Sequence, residues 1–236
     1  MKLTRTRLLL ALALGLAVST AQAHDTGANA GSDKDRQGGD ISHVNGGITA
    51  EAGQRYGDLD TVNGGIRVER GATAGGVQTV NGGISLDDGA QVDSAETVNG
   101  GIKAGEHVRV ANGAKTVNGG IAFDFNSTIG GDISTVNGGI TIKQAQVAGK
   151  LETASGDITV GAKSVVHGGI HVEKPHGFSW GRSRIPRIVI GPNAVVEGDL
   201  RFDREVELFV HPTAKIGPVT GATAQSWTTS LPSRRD

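Results

Sequence analysis

The chain has 236 residues and a mass of 24.1 kDa, with 23 basic and 24 acidic side chains and a formal charge of -1, a balance that argues against a polyanion such as nucleic acid as its partner. Glycine is the outlier. With 38 Gly, 3% aromatic residues, one Met and no Cys, the composition excludes a core of large side chains, a disulfide scaffold and a Cys-ligated metal site.

Residues 1–23 carry Lys2, Arg5 and Arg7, then the apolar run Leu8 to Val18, then Ala21-Gln22-Ala23. That order of charged, apolar and small residues predicts a secretory signal cleaved after Ala23, because the apolar run is too short for a membrane span. Cleavage there leaves 20 basic against 24 acidic side chains, a balance of -4. The processed chain is then expected in the periplasm or outside the cell, with no membrane span. Residues 24–40 are rich in Gly and Asp and predict a disordered leader.

From residue 41 the sequence repeats. His43-Val44-Asn45-Gly46-Gly47-Ile48 returns as TVNGGI from Thr61, Thr79, Thr97, Thr116 and Thr135, and as Thr153-Ala154-Ser155-Gly156-Asp157-Ile158. A shorter period of six lies inside this one. Stepping from Val44 by six, with one-residue insertions before Val117 and Val136, collects 29 positions as far as Ala214, of which only Arg184 is not apolar. At 36% apolar composition chance would supply about ten, so the pattern is structural.

Six residues fit a short strand plus a corner, and three such sides make a coil of about 18. The predicted fold is therefore all-β: a single-stranded parallel β-helix, or solenoid, over 41–218. It is right-handed by the crossover rule and about 45 Å long, with a polar tail at 219–236. The six-residue frame predicts Val62 and Ile66 facing the axis with Thr61 and Asn63 facing out. The Asn-Gly-Gly corner is expected to use the positive φ open to glycine. Stacked corners bring Asn45, Asn63, Asn81, Asn99, Asn118 and Asn137 into one hydrogen-bonded structural ladder.

The TVNGGI repeats resemble those of the bacterial toast-rack family, adhesin-type proteins with a single-sheeted β-helix. The match covers roughly residues 41–172. Farther on, Asn193 to Leu200 and His211 to Gly217 resemble the coils of bactofilins, bacterial scaffolds that polymerise in the cytoplasm. Both resemblances imply a non-enzymatic scaffold, and the export signal departs from the bactofilin pattern.

Between Val172 and Ile188 the rhythm fails. The stretch 174–187 reads either as a loop leaving the coil or as a degenerate coil with Phe178 in frame. As a loop it presents His176, Phe178, Trp180, Arg182 and Arg184, with an indole for stacking and guanidinium groups for anions or sugar acids. These five are the candidate ligand-binding residues.

Other chemistry is thin. His43, His167, His171 and His176 invite a metal, but His167 and His171 are separated by a glycine corner and no acid stands at a ligand interval along the chain, so no metal is expected. Asp87 and Asp88 are strand neighbours pointing to opposite faces and cannot act as an acid and base pair. An acyltransferase of the six-residue repeat class is disfavoured by export and by the isolation of His107. The Thr column from Thr61 to Thr135 reads as β propensity rather than a lattice-binding array. No catalytic residue and no cofactor are assigned.

The expected function is that of an exported structural or adhesin-like protein binding an envelope polymer or a surface protein, with a homo-oligomer formed by end-to-end coil stacking. The alternative is a polysaccharide-active lyase or hydrolase, which would gather acidic and aromatic side chains on one face of consecutive coils.

Overall fold

A computed structural model describes residues 38–174 and 184–228. The chain is an all-β parallel solenoid of about 9 turns with ~19 residues per coil. Among the described residues, 25 short strands form two sheets of 15 and 10 strands. Each coil runs along three sides. The third side is the smaller sheet, built from one strand per coil such as Ile66–Val68, Ile84–Leu86 and Ile102–Ala104. The first and second sides share the larger sheet, and in the early coils one bent strand serves both, as in Thr73–Asn81 and Gln91–Asn99.

An extra residue explains where that bend breaks. Val92 pairs with Val110, but Ser94 pairs with Gly113, so the strand Arg109–Asn118 bulges by one residue. From there each first-side strand, such as Thr128–Ile129, separates from its second-side continuation, Ile133–Asn137. The insertion before Val117 in the sequence is this bulge.

Two residues per side point inward, and small ones suffice because each stacks on its copy in the next coil. Ala90 and Val92, then Ala95 and Thr97, then Ile102 and Ala104 are the buried set of one coil. On the second side this corrects the expected frame. Thr61, Thr79, Thr97, Thr116 and Thr135 are 1–4% exposed, whereas Val62 and its copies lie half-buried on the outer face and Val44 is 66% exposed. The physical reason is the corner. Each buried threonine donates its hydroxyl to a glycine carbonyl one coil back, Thr97 Oγ1 to Gly82 O at 2.8 Å and Thr116 Oγ1 to Gly100 O at 2.8 Å. A valine there would leave that carbonyl without the bond.

The Asn-Gly-Gly corner also differs from expectation. Positive φ occurs there only at Gly46. The later first glycines are needed for clearance: a Cβ on Gly82, Gly100 or Gly138 would sit 1.8–2.0 Å from the carbonyl oxygen of the glycine stacked beneath. Eight of the twelve described positive-φ residues instead form a column at the turn between the third and first sides. It comprises Gly53, Gly71, Gly89, His107, Asn126, Gln144, Lys163 and Asn193, with φ between 47° and 72°. At that turn Ala90 N donates to Asp87 O at 3.0 Å, which fixes a four-residue turn whose third residue takes the strained conformation.

Beside the glycines the asparagine side chains do form a ladder. Asn63, Asn81, Asn99, Asn118 and Asn137 each donate Nδ2–H to the Oδ1 of the preceding asparagine, at 2.9–3.0 Å. Among the described residues no buried side-chain polar atom lacks a partner. No helix among them is long and apolar enough to cross a membrane.

Candidate functional site

The break at 174–187 is resolved by the registers on either side of it. Val172 pairs with Thr153, and Ile188 pairs with Ile158, so both belong to one coil, and the stretch joins its second side to its third. Elsewhere that corner runs from Thr153 to Ile158; here it runs from Val172 to Ile188, eleven residues longer. The stretch is an insertion at a corner and not a coil of its own. His176, Phe178, Trp180 and Arg182 lie outside the described residues. Arg184 is described: its Nη2 donates to Asp157 Oδ2 at 3.1 Å, and its carbonyl accepts from Arg204 Nη2 at 3.1 Å. The end of the insertion is thus pinned to the solenoid, and Asp157 also accepts from the Arg187 backbone N–H at 2.9 Å.

At this level the outer face of the second side changes character. Through the early coils its columns are Asp60, Gln78, Glu96, Lys115 and Ser134 beside half-buried valines. They continue as Glu152, His171 and Arg201, adjacent rungs of the same ladder. The valine copies give way to Ala154, then to Glu173 beside the insertion.

His171 is the centre of the resulting cluster. Its Nδ1 lies 3.0 Å from Glu152 Oε1 and its Nε2 lies 2.9 Å from Asp203 Oδ2. Lys150 Nζ holds the other oxygen of Glu152 at 2.7 Å, and Arg201 Nε holds the other oxygen of Asp203 at 2.9 Å. The ionised partners set the protonation. The hydrogen bond from His171, helped by Lys150, lowers the Glu152 carboxyl to about 2. The bond to Glu152, then that to Asp203, raises the His171 ring above its ordinary value. The His171 bond likewise lowers Asp203, while burial and the neighbouring Glu152 raise Glu173.

These directions fix a pH window. Glu152 is depressed on folding, so its contribution is complete above its ordinary 4.5 and is lost as pH falls toward about 2. His171 is raised, so its contribution is complete below 6.5 and is lost as pH rises through its higher folded value. In metal-free buffer the parent chain is expected to melt about 2–6 °C above His171→Gln between pH 4.5 and 6.5, the gap narrowing on both sides. A constant gap across a calorimetric pH series would show that the lost ion pair is not its source.

Sequence reasoning named His171 but found it no partners, because Glu152 stands 19 residues before it and Asp203 stands 32 after it. The signal was available in the repeat: once the period of 18–19 and the corner insertion are known, 152, 171 and 201 fall in one column. His167 is a separate exposed pair with Glu197 at 2.6 Å. His43 occupies the threonine position of the first coil, paired with Thr61. The acids at 87 and 88 serve the solenoid: Arg67 holds Asp87 at 3.1 Å, and Asp88 Oδ1 accepts from the Glu106 backbone N–H at 3.0 Å. They line an open groove of about 580 Å³ with Glu69, Arg70, Lys103 and Asp124. It gathers no aromatic side chain, and Asp124 is paired with Lys143 at 2.7 Å.

Fold and site together define a parallel β-solenoid whose laddered outer face is interrupted once, among the described residues, by a charged cluster at the root of a corner insertion. No family model, curated protein or solved structure matches the chain.

Proposed function

We propose that the chain is an exported, non-enzymatic scaffold or adhesin-like protein of the toast-rack kind, which holds an envelope polymer or another surface protein at its corner insertion. One observation carries this reading. The valine column of the second side gives way to Ala154, Glu173 and Asp203 over three consecutive coils, where the two acids join Lys150, Glu152, His171 and Arg201 in one charged cluster at the same level as the eleven added residues. Insertions on a stacked scaffold are where recognition is built, since the coils around them fix their ends. The His171 ring has both nitrogens committed to carboxylates, which suits a fixed charged surface better than proton transfer. Export rests on the signal-like sequence of residues 1–23, and on this reading the protein works in the periplasm or outside the cell.

End-to-end association of a second copy follows from the same architecture. Among the described residues the first strand, Ile41–Asn45, pairs on one edge only, and the last, Ala224–Ser226, does likewise. Open strand edges template further pairing.

Glycan-array binding of the parent chain, compared with a Trp180→Ala/Arg182→Ala variant, tests the binding surface. The account expects at least tenfold weaker binding to acidic envelope glycans in the variant, and equal binding would remove the insertion from it. Time-dependent cleavage of any glycan on the array would favour a polysaccharide-active enzyme instead.

A further inference from the structure

We propose that Glu152, His171 and Glu173 form a binding site for one divalent transition-metal ion of the zinc type, with Asp203 orienting the histidine from behind. The three side chains each offer a ligand atom, and these atoms lie within 4.8 Å of one another. One imidazole nitrogen with two carboxylates is a mixed donor set that suits Zn2+ and disfavours Ca2+ or Mg2+, which take oxygen alone. Zinc bonds of about 2.0–2.2 Å need donors roughly 3.5 Å apart, a closure within reach of small rotations of the glutamate side chains.

The surroundings are those of a supported site. Asp203 Oδ2 accepts from His171 Nε2–H at 2.9 Å, which leaves Nδ1 as the nitrogen that faces Glu152. That carboxylate–histidine arrangement fixes the ring's tautomer and orientation. Arg201 secures Asp203, and Lys150 takes Oε2 of Glu152, leaving Oε1 toward the ring. Glu152 and His171 are direct partners in a parallel ladder, so the rigid strands set the spacing of two of the three ligands.

The charges also invite a cation. Glu173 lies beside Glu152, and among the described residues no lysine, arginine or histidine nitrogen is within ion-pair distance of it. The His171 and Glu152 side chains are 21% and 20% exposed, open enough for a hydrated ion to enter and for water to complete a fourth position. On binding, the metal replaces the proton shared between Nδ1 and Glu152 Oε1, and that proton passes to solvent.

Titration calorimetry of the whole protein, purified without a histidine tag, is the test, with Zn2+ as the probe. One equivalent is expected at the cluster. His171→Ala should weaken uptake at least 100-fold, and Glu173→Gln and Asp203→Asn each about 10- to 100-fold. His167→Ala should leave it unchanged, and millimolar Ca2+ should not compete. Unchanged uptake in His171→Ala, or none by the parent at about 1 mM Zn2+, overturns the proposal. The 15N resonance of His171 Nδ1 in the parent needs no variant; it should move on zinc addition, and its staying in place would also overturn the site.

Discussion

Gly100→Ala should destabilise the chain by about 3 kcal/mol or more, although it adds one methyl group at a half-exposed corner. The added Cβ would lie 2.0 Å from the Gly82 carbonyl oxygen and 2.5 Å from its carbon, both backbone atoms of the adjacent coil. Backbone cannot turn aside as a side chain can. The coils would have to part at that corner, breaking the Asn99 to Asn81 amide bond and the Thr97 to Gly82 bond beside it. Because each coil contacts mainly its neighbours, a lesion in the middle of the array should also split unfolding into two phases. Gly71→Ala is the matched control. Its φ is +67°, and a Cβ would meet nothing within 4 Å, so the change should cost only the left-handed penalty of about 1–2 kcal/mol. Urea denaturation of the two variants separates clearance from conformation; equal losses would refute the stacking account of the corner.

Glu207→Ala should cost about 3–5 kcal/mol, a size unusual for a residue on the outer face of a sheet. Glu207 Oε2 accepts from both Nε and Nη2 of Arg187, at 3.0 and 2.9 Å, and the Arg187 side chain is only 10% exposed. Removing the acid strands a buried guanidinium, which the Phe209 ring at 5.1 Å compensates only in part. The double variant Arg187→Met/Glu207→Leu should return most of the loss, because two apolar side chains of similar bulk need no mutual charge. Thermal denaturation of the single and double variants decides it. If the double variant is no better than Glu207→Ala, the penalty is one of packing and not of a stranded charge.

The fold was legible because a solenoid writes its period into the sequence. The recurrence of TVNGGI announced the coil, and Ala74, Val92, Leu86 and Ala104 are buried where the six-residue frame places them. The frame misplaced Val62 and Thr61 because it assumed equal sides. In the structure the step from the first side to the second is only three residues, Ala74 to Val77, so the next inward position is Thr79 and not Val80. Hydropathy alone favours the valine; the hydrogen bond to a glycine carbonyl, invisible without the neighbouring coil, favours the threonine. The glycine corner misled in a similar way, since Gly64 is required by the approach of Gly46 O and not by its own φ.

The candidate site was the least legible part. His171, Glu152 and Asp203 look unrelated along the chain: Glu152 and His171 share a column one coil apart, and the insertion between His171 and Asp203 hid that Arg201 continues that column with Asp203 two residues on. Arg184 was singled out as a ligand-binding residue, and among the described contacts it holds the base of the insertion through Asp157. Arg187, which escaped notice, proves to be the buried cation.

The absence of cysteine makes coil stacking directly testable by paired substitution. Glu96 and Lys115 are Cα partners in adjacent coils and both point outward, so Glu96→Cys/Lys115→Cys should oxidise rapidly to an intramolecular disulfide with little loss of stability. Glu96→Cys/Thr116→Cys, whose second thiol faces the buried axis, should not. Closure of the first pair alone is what the account predicts; closure of the second pair in its place, or cross-links only between molecules, would contradict it.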